Sequence, residues 1–527
     1  MHPHMTYNSL HIFTDDCLRL DDNPALLNSL KTTHKLYTVF YYGHILKISP
    51  PPVHRILFLL DSLKGLHARL DQFGVPLYLI DTPMSVSLRN LIAKWKINRV
   101  TTEAANSIVG RKNQKSLEYF LAGFGVKFVT ENSTTLYDIR KLPGNIKETE
   151  FFKLISKMQP KSPILEDLTL ELSKFSSSAD LEVNRTVPDP KDFGLTDKVL
   201  EKVDRKFFGG EVEAMAQLEK LLMIRCDQET PQNKMELLCD PIALSPAIKF
   251  GCISVHTIYT RVSKVKSDHP EVVNRIYDGL KRRDFYILIG GQCANIDNQG
   301  SIYTYVLPWD EKAEHQQRFH SGQTGYPIVD AAVAQLKAEG FVHSSIKSVL
   351  VKMVTCDLMW LGWQEGVKMF YRWSIDYNSA ICGLSWMYGA KSTWLFETMK
   401  TSDAPSFDGL NELDPEGEYV KKYLPELTRY PKEYIHTPWR APLDLQTKMN
   451  CVIGLDYPVP LFCDLEARFK LCRERLDVFY NLITKVRRHQ AINQLSKRYS
   501  NSNNSNNSNN NNNNNTQDFI SKIKCTK

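Results

Sequence analysis

The most distinctive region of the chain reads TGYPIVDAAVAQL at residues 324–336, DLMWLGWQEG at 357–366 and SIDYNSAICGLSWMYGA at 374–390. The stretch from Thr324 to Trp394 holds five of the eight tryptophans of the protein, at positions 360, 363, 373, 386 and 394. Trp360 and Trp363 are three residues apart in an apolar run, and this spacing predicts that they share one face of a helix. On periodicity alone, these large aromatic side chains are expected to fill a helical core.

Length and composition indicate a protein of two domains. The chain has 527 residues, 42% of them hydrophobic, which is enough for more than one core. No apolar stretch approaches the length of a membrane span, and the N-terminus MHPHMTYNSL lacks a secretory pattern, so residence in the nucleus and cytoplasm is expected. Eleven cysteines without metal-type spacing are typical of buried thiols, and a formal charge of +7 permits weak DNA binding without arguing for it.

The first 130 residues alternate short apolar segments with longer helical ones. Strands are predicted at 11–13, 36–42, 75–80, 97–103 and 126–130. This rhythm indicates a parallel sheet with crossover helices, that is, a doubly wound α/β domain. Asn23 and Pro24 are expected to form the cap and the first turn of a helix after the first strand.

The composition changes twice further along the chain. Residues 131–205 are rich in serine, proline and charge, which predicts a surface connection between domains. From 206 to 484 the pattern is almost wholly helical. Residues 485–527 contain an asparagine tract at 501–515 that has nothing to bury and is expected to be disordered. This tail is interpreted either as a signalling extension or as a repeat expansion without a role.

The quoted region resembles the flavin-binding region of the photolyase and cryptochrome family. TGYPIVDAA, the WxxW at 360–363 and the loop from Asp376 to Trp386 follow in the family's order and spacing, and LRLDDNPAL at 18–26 matches its opening motif. The resemblance covers residues from about 9 to about 480. It implies an α/β antenna domain at 1–130, a linker and an all-α FAD-binding domain at 206–484. The sequence does not identify the antenna chromophore.

The resemblance implies two contacts near the phosphates and the ring of FAD. ALSPAIKFGCIS at 243–254 matches the phosphate-contacting segment and places Ser245 on its serine, where a hydroxyl and backbone amides bind pyrophosphate. The hydroxyl residues that photolyases carry just before it are replaced by Pro241 and Ile242. LKRRDFYI at 280–287 matches a flavin-contacting helix and places Arg283 on its arginine, with Arg282 in place of a tryptophan.

The same resemblance implies further contacts at the flavin ring. Asp376 matches an aspartate that the family places against the ring and opposite an arginine, which is Lys347 here. A lysine keeps the charge but loses the bidentate geometry. Asn378 replaces a second aspartate and keeps an acceptor. Cys382 matches the position that faces the central redox nitrogen, where photolyases have asparagine and insect light-sensing cryptochromes have cysteine; a thiol is a weak hydrogen-bond partner and favours an unprotonated, anionic radical.

By resemblance, four tryptophans form an electron-transfer chain. Trp386 matches the position nearest the flavin, Trp363 the middle, Trp309 the outer and Trp360 the fourth position of animal-type members. Trp373 matches no family position and is interpreted as core.

The resemblance implies a blue-light photoreceptor nearest the insect type, in which FAD photoreduction drives signalling, with circadian entrainment as the expected process. DNA repair is not expected, because the family's lesion-clasping tryptophans are replaced by Arg282 and Tyr388 and its two catalytic histidines by Ser344 and Ser348. The alternatives are a light-independent clock repressor with weak or no FAD and, third, a DNA photolyase. Expected partners are timeless-like and period-like clock proteins and ubiquitin-ligase components.

Overall fold

The computed structural model describes residues 7–48, 50, 52–164, 168–175, 180, 182–226, 243–264, 270–293, 296, 303–396 and 413–506. The chain divides into two compact units, Met1–Arg468 and Phe469–Lys527. No helix within the described residues combines the length and the apolar character that a membrane span needs. Pro241 and Ile242, the two substitutions in the phosphate segment, lie outside the described residues.

An α/β sandwich is built from the N-terminal part of the first unit. Its elements are β1 (Tyr7–Phe13), α1 (Pro24–Leu30), β2 (Thr33–Tyr41), α2 (Val53–Asp71), β3 (Leu77–Ile80), α3 (Met84–Trp95), β4 (Arg99–Glu103), α4 (Ile108–Ala122) and β5 (Lys127–Glu131). In the described part of the chain these strands form one five-stranded sheet of order β3-β2-β1-β4-β5, and all neighbours are parallel. All five predicted strands and the doubly wound α/β class are therefore confirmed.

Successive side chains of a strand point to opposite faces of the sheet, and helices cover both faces. Leu10 pairs in register with Tyr37 and Val100, and with Ile12 it faces a core closed by α3 and α4. The opposite face of the sheet packs against α1. The helix begins as predicted: Asn23 caps it by accepting from the backbone N–H of Leu26 at 2.9 Å, and Pro24 occupies its first turn.

Parts of the predicted linker are buried and structured. It contains the short helices α5 (Glu148–Ile155), α6 (Leu168–Leu172) and α7 (Asp197–Leu200). Leu136 and Phe151 are fully buried, so the segment that leaves the sheet enters the interior of the protein. The backbone N–H of Leu79 in edge strand β3 donates to the carbonyl of Asn184 at 2.8 Å. The connection thus covers a strand edge that would otherwise expose unpaired backbone groups.

The remainder is helical, as predicted. Its helices are α8 (Glu211–Cys226), α9 (Ser245–Lys249), α10 (Val255–Lys264), α11 (Pro270–Gly290), α12 (Ala313–Ser321), α13 (Pro327–Glu339), α14 (Ser344–Lys352), α15 (Trp363–Trp373), α16 (Ser379–Gly389), α17 (Glu418–Tyr423), α18 (Leu443–Lys448) and α19 (Leu465–Asn506). A π-helical turn spans Met353–Asp357.

The TGYPIVD segment is organised by the buried carboxylate of Asp330. It accepts from the backbone N–H and hydroxyl of Thr324 at 2.8 and 2.7 Å, from Gly325 N–H at 3.0 Å and from the Tyr457 hydroxyl at 2.6 Å. Pro327 then opens α13, where its missing N–H is no loss. One side chain therefore fixes the entry to α13 and attaches the closing segment to it.

The prediction that Trp360 and Trp363 share a helix face is wrong. Helix α15 begins at Trp363, and Trp360 lies before it with φ of 59°, a left-handed conformation that cannot continue a helix. Contacts from distant parts of the chain hold this backbone. Arg468 donates to the carbonyls of Leu358 and Met359 at 2.7 and 3.3 Å, and the indole N–H of Trp360 donates to the carbonyl of Pro308 at 2.8 Å.

The last helix continues into the segment predicted to be a disordered tail. Backbone helix extends through Asn506, whereas the tail was placed at 485–527. The residues KVRRHQAINQLSK at 485–497 are mostly good helix formers, which explains the continuation. Residues 507–527, with most of the asparagine tract, lie outside the described residues.

We expect Asn23→Ala to lower the free energy of unfolding by about 1 kcal/mol, because the N–H of Leu26 loses its capping acceptor at a buried helix start. Asn113→Ala, at an exposed position inside α4, is the matched control and should change it by less than about 0.5 kcal/mol. Denaturant unfolding of both variants measures the difference, and equal effects would show that the cap contributes nothing.

Candidate functional site

A cavity of about 750 Å³ lies between the sheet and the helical part of the first unit. This volume falls within the roughly 300–1,000 Å³ of cofactor and ligand sites. On the sheet side it is lined by Thr14, Asp15 and Asp16, which follow β1, and by Glu103, the last residue of β4. The strand order reverses between β1 and β4, so the cavity lies at the carboxyl ends of the strands at a topological switch point, where open α/β sheets bind ligands.

The helical wall carries most of the predicted cofactor residues. Ser245 from α9, Arg283 from α11, Asp376 from the loop before α16 and Asn378 at its N-cap all line the cavity. The walls between them are apolar, with lining residues Leu244, Ile248, Ile258, Ile276, Leu280, Ile287, Ile296 and Ile381. Four residues that are up to 133 positions apart in sequence therefore converge on one space.

The carboxylate of Asp376 is held by two hydroxyl groups. The Ser245 hydroxyl donates to Oδ2 at 2.6 Å, and the Ser374 hydroxyl donates to Oδ1 at 2.5 Å. Hydrogen bonds to an ionised acceptor are the stronger kind, so the two contacts orient the carboxylate in the cavity wall. The Ser245–Asp376 bond also joins the predicted phosphate segment to the predicted ring loop.

Lys347 does not take the place expected opposite Asp376. Its ammonium lies 4.7 Å from the centre of the Phe370 ring, and none of the ion pairs among the described residues joins it to Asp376. The carboxylate oxygens of Asp376 already have hydroxyl partners, and a flexible lysine gains a cation–π contact by turning to the ring. Lys347 also lies outside the cavity lining.

Asn378 and Cys382 have different surroundings. The Asn378 side chain accepts from the backbone N–H groups of Ala380 and Ile381 at 3.1 and 3.2 Å, so the substituted ring-edge residue serves as the cap of α16. Cys382 is buried in the first turn of α16 and, unlike its neighbour Ile381, is not among the residues that line the cavity. Gly290 permits the close packing of α11 against the first turn of α16, because a Cβ at Gly290 would lie 2.2 Å from Cβ of Ala380.

The guanidinium of Arg283 faces the cavity from α11. Nη1 donates to the carbonyl of Thr134 at 2.5 Å, and Nη1 lies 3.8 Å from the carboxylate of Asp284. Burial lowers the pKa of Arg283, which remains a cation at neutral pH. Asp284 is fully buried and accepts from Tyr137 N–H at 2.9 Å, while burial raises its pKa to about 7. Both residues therefore attach the segment after β5 to α11.

Sequence patterns missed the acidic side of the cavity. Lys249 lies 3.3 Å from Asp15 and lowers the pKa of that carboxyl, whereas burial and the neighbouring Asp15 raise the pKa of Asp16. Glu103 accepts from the backbone N–H and hydroxyl of Ser133 at 2.6 and 2.8 Å, and burial raises its pKa to about 7. The position of these residues at or just after the carboxyl ends of predicted strands was the signal that could have found them.

The four tryptophans of the predicted chain occupy different depths. Trp386, Trp363 and Trp360 are at most 1% exposed, whereas Trp309 is half-buried. Trp309 and Trp360 are in contact, with ring centres 5.3 Å apart at 55°. Trp386 packs against α15, where a Cβ at Gly366 would lie 2.1 Å from its ring. Among the four indoles, the pair of buried Trp360 and half-buried Trp309 is thus in direct contact, and Trp386 is buried against α15.

Comparisons with known proteins agree on the fold and the cofactor class. Residues 276–477 match the family model described as the FAD binding domain of DNA photolyase, and residues 9–162 match the model described as DNA photolyase. Cryptochrome-2 of Gallus gallus is 30% identical over 492 residues, which cover 89% of this chain and 83% of that protein. Cryptochrome-1 of Spalax judaei is 30% identical over 519 residues, which cover 95% and 86% of the two chains.

Solved structures show the same architecture. A bacterial class III photolyase from Agrobacterium tumefaciens superposes with a TM-score of 0.75 at 20% identity, covering 92% of this chain and 99% of its own. A cryptochrome from Synechocystis superposes with a TM-score of 0.75 at 22% identity, covering 89% and 99%. At these identities the likeness establishes the fold, including the parallel sheet and the helical part.

We expect Glu103→Gln to remove a pH dependence of stability. The pKa of Glu103, about 7 in the folded protein, is higher than that of an unfolded glutamate, so the folded state holds the proton more tightly. The contribution of Glu103 to the unfolding free energy is therefore full in acid and is lost as pH rises through 7. The unfolding free energy of the variant should therefore rise relative to the parent by on the order of 2 kcal/mol between pH 5 and pH 8. Exposed Glu118→Gln is the control, and a constant difference for Glu103→Gln would contradict the assignment.

Proposed function

The chain belongs to the photolyase and cryptochrome family, and on that premise we propose that it is a blue-light photoreceptor whose FAD is photoreduced through a chain of tryptophans. The observation that carries this proposal is the convergence of Ser245, Arg283, Asp376 and Asn378 on one cavity. The contact between buried Trp360 and half-buried Trp309 supports the tryptophan chain. Signalling in circadian entrainment is the process we propose for it.

The residues in the cavity fit FAD. The helical part is an FAD-binding domain, and its wall offers the Ser245 hydroxyl and the cations Lys249 and Arg283 for phosphates. The apolar lining suits an aromatic ring system, and Asp376 and Asn378 supply polar contacts at its edge. When bound, FAD supplies a chromophore that absorbs blue light and accepts an electron from a nearby indole.

The proposed electron donors are Trp386, Trp363, Trp309 and Trp360. Trp386, Trp363 and Trp360 are shielded from water, and Trp309 is partly exposed. The rings of Trp309 and Trp360 are in contact, which favours electron transfer between these two indoles. A series of short steps favours separation of charge over its return. Cys382, by resemblance to insect light-sensing members, supports a sensor over a repair enzyme.

Light sensing is proposed over DNA repair because the positions that match the family's repair residues hold side chains of different chemical character. Arg282 forms an ion pair with Glu148 at 3.1 Å, and Tyr388 packs against Phe396 with ring centres 4.5 Å apart. Ser344 and Ser348 are exposed hydroxyls without the acid–base capacity of imidazoles near neutral pH. A repair assay on ultraviolet-irradiated DNA separates the two functions.

We further propose, from family resemblance, that clock proteins of the timeless and period kinds and ubiquitin-ligase components are partners, and that the protein resides in nucleus and cytoplasm. Co-purification in darkness and under blue light tests the partners, and microscopy of a tagged chain tests the location.

We expect Asp376→Ala to reduce bound FAD at least about tenfold, because it removes the carboxylate that joins Ser245 to the ring loop. The ratio of flavin to protein absorbance measures occupancy, and exposed Asp444→Ala is the control. Full occupancy in Asp376→Ala would contradict the site. A parent protein that purifies without flavin would favour the light-independent repressor scaffold.

We expect Trp386→Phe to slow photoreduction of bound FAD by at least about tenfold, since phenylalanine is a much poorer electron donor than the indole it replaces. Trp373→Phe is the matched control, because Trp373 stacks on Arg372 at 5.1 Å and has no place in the proposed chain. Absorption changes under blue light with an external reductant measure the rate. Equal rates in the two variants would exclude Trp386 as the first donor.

A further inference from the structure

We propose that Arg55, in the first turn of helix α2, is a positioning residue that holds the loop 374–378 in its FAD-binding conformation. The inference rests on the proposed function for the identity of the ligand. It rests on the structure alone for the contact, because helix α2 of the sheet domain inserts this side chain into the helical domain.

The guanidinium of Arg55 contacts two tyrosines that bracket the loop. Its Cζ atom lies 5.1 Å from the ring centre of Tyr371 and 5.3 Å from that of Tyr377. The two rings meet edge to face with centres 5.2 Å apart. Tyr371 lies in the last turn of α15 and Tyr377 lies in the cavity wall next to Asp376. One cation therefore ties together both ends of the segment that carries Asp376.

A hydrogen bond adds direction to this contact. Nη2 of Arg55 donates to the backbone carbonyl of Tyr371 at 2.6 Å. This carbonyl is among the last four of α15, which have no partner within the helix, and a cation at a helix C-terminus also interacts favourably with the helix dipole. The bond fixes where α15 ends and thus where the loop begins.

The ionisable neighbours of Arg55 are Tyr371, Tyr377, Cys382 and Asp15, and burial lowers its pKa. No carboxylate lies within salt-bridge distance of it in the described part of the chain, so ring faces and the carbonyl are its main partners. Arg55 is a partly desolvated cation that two aromatic rings stabilise, so its interaction energy is most favourable when both rings stay in place. Displacing the loop would remove these contacts, which is the physical reason that Arg55 restrains it.

The first turn of α2 supports the same loop at a second point. The backbone N–H of Ile375 donates to the carbonyl of Gly340 at 2.9 Å, and a Cβ at Gly340 would lie 2.5 Å from the ring of His54. His54 therefore packs against the residue that accepts from the loop, next to the position from which Arg55 contacts the loop itself. With the loop held in advance, binding of FAD need not supply the free energy of ordering Asp376 and Asn378.

The test compares Arg55→Gln with Arg205→Gln. Arg205 lies 4.7 Å from the ring of Phe208 and forms an ion pair with Asp61 of α2, so it also has a cation–π contact, but none of its described contacts is to the loop 374–378. We expect Arg55→Gln to raise the dissociation constant of FAD about tenfold or more and Arg205→Gln to leave it within about twofold. Arg55→Lys keeps a cation over the rings and should give an intermediate value.

Hydrogen exchange in flavin-free protein provides a readout that is independent of cofactor loading. The amides of Ser374 and Ile375 donate to Phe370 and Gly340 at 2.9 Å, and their exchange should accelerate about tenfold in Arg55→Gln and not in Arg205→Gln. Unchanged exchange in Arg55→Gln, or equal effects in both variants, would overturn the proposal. Absence of FAD from the parent protein would instead refute the proposed function, and the exchange measurement would still decide the role of Arg55.

Discussion

The close approach of α15 and α16 is the constraint on which the site depends. Gly366 leaves no side chain where the Trp386 ring lies, so the two helices pack at a distance that any larger residue would prevent. The chain between them must turn within residues 374–378, and this turn presents Asp376 and Asn378 to the cavity. A change at the helix contact would therefore move the polar groups of the cavity as well as the buried indole.

Charge is distributed unevenly around the cavity. Carboxylates at the ends of β1 and β4 form one side, and Lys249 and Arg283 stand on the helical side. Buried charges are costly unless they are paired or neutralised, and the site uses both solutions: Lys249 pairs with Asp15, while Glu103 has a pKa of about 7 and is partly protonated at neutral pH. Among the described residues, Arg283 is the cation of the helical wall that forms no close carboxylate pair, so an anionic group of a ligand is expected to lie nearest to it.

Some features of this fold depend on neighbouring residues in the sequence, and others depend on contacts between distant residues. The strands, the Asn23 cap and the helical second part were predictable because they depend on patterns of neighbouring residues. The helix predicted through Trp360 was wrong because Arg468, more than one hundred positions away, holds that backbone in another conformation. Lys347 was misplaced because the hydroxyl of Ser245, from a distant segment, and that of Ser374, from the same loop, satisfy Asp376. The carboxylates after β1 and β4 needed the strand order before their convergence could be seen.

Trp360 occupies a position where backbone strain and side-chain packing favour different residues. A left-handed backbone costs a non-glycine residue roughly 1–2 kcal/mol, so glycine would relieve local strain there. Glycine would also remove an indole that contacts Trp309 and donates to the carbonyl of Pro308. Truncating a fully buried tryptophan costs about 3–5 kcal/mol, which exceeds the strain that glycine would relieve, so selection for thermal tolerance alone would retain the indole. Retention of Trp360 in a stabilised variant would therefore not by itself indicate a role in electron transfer.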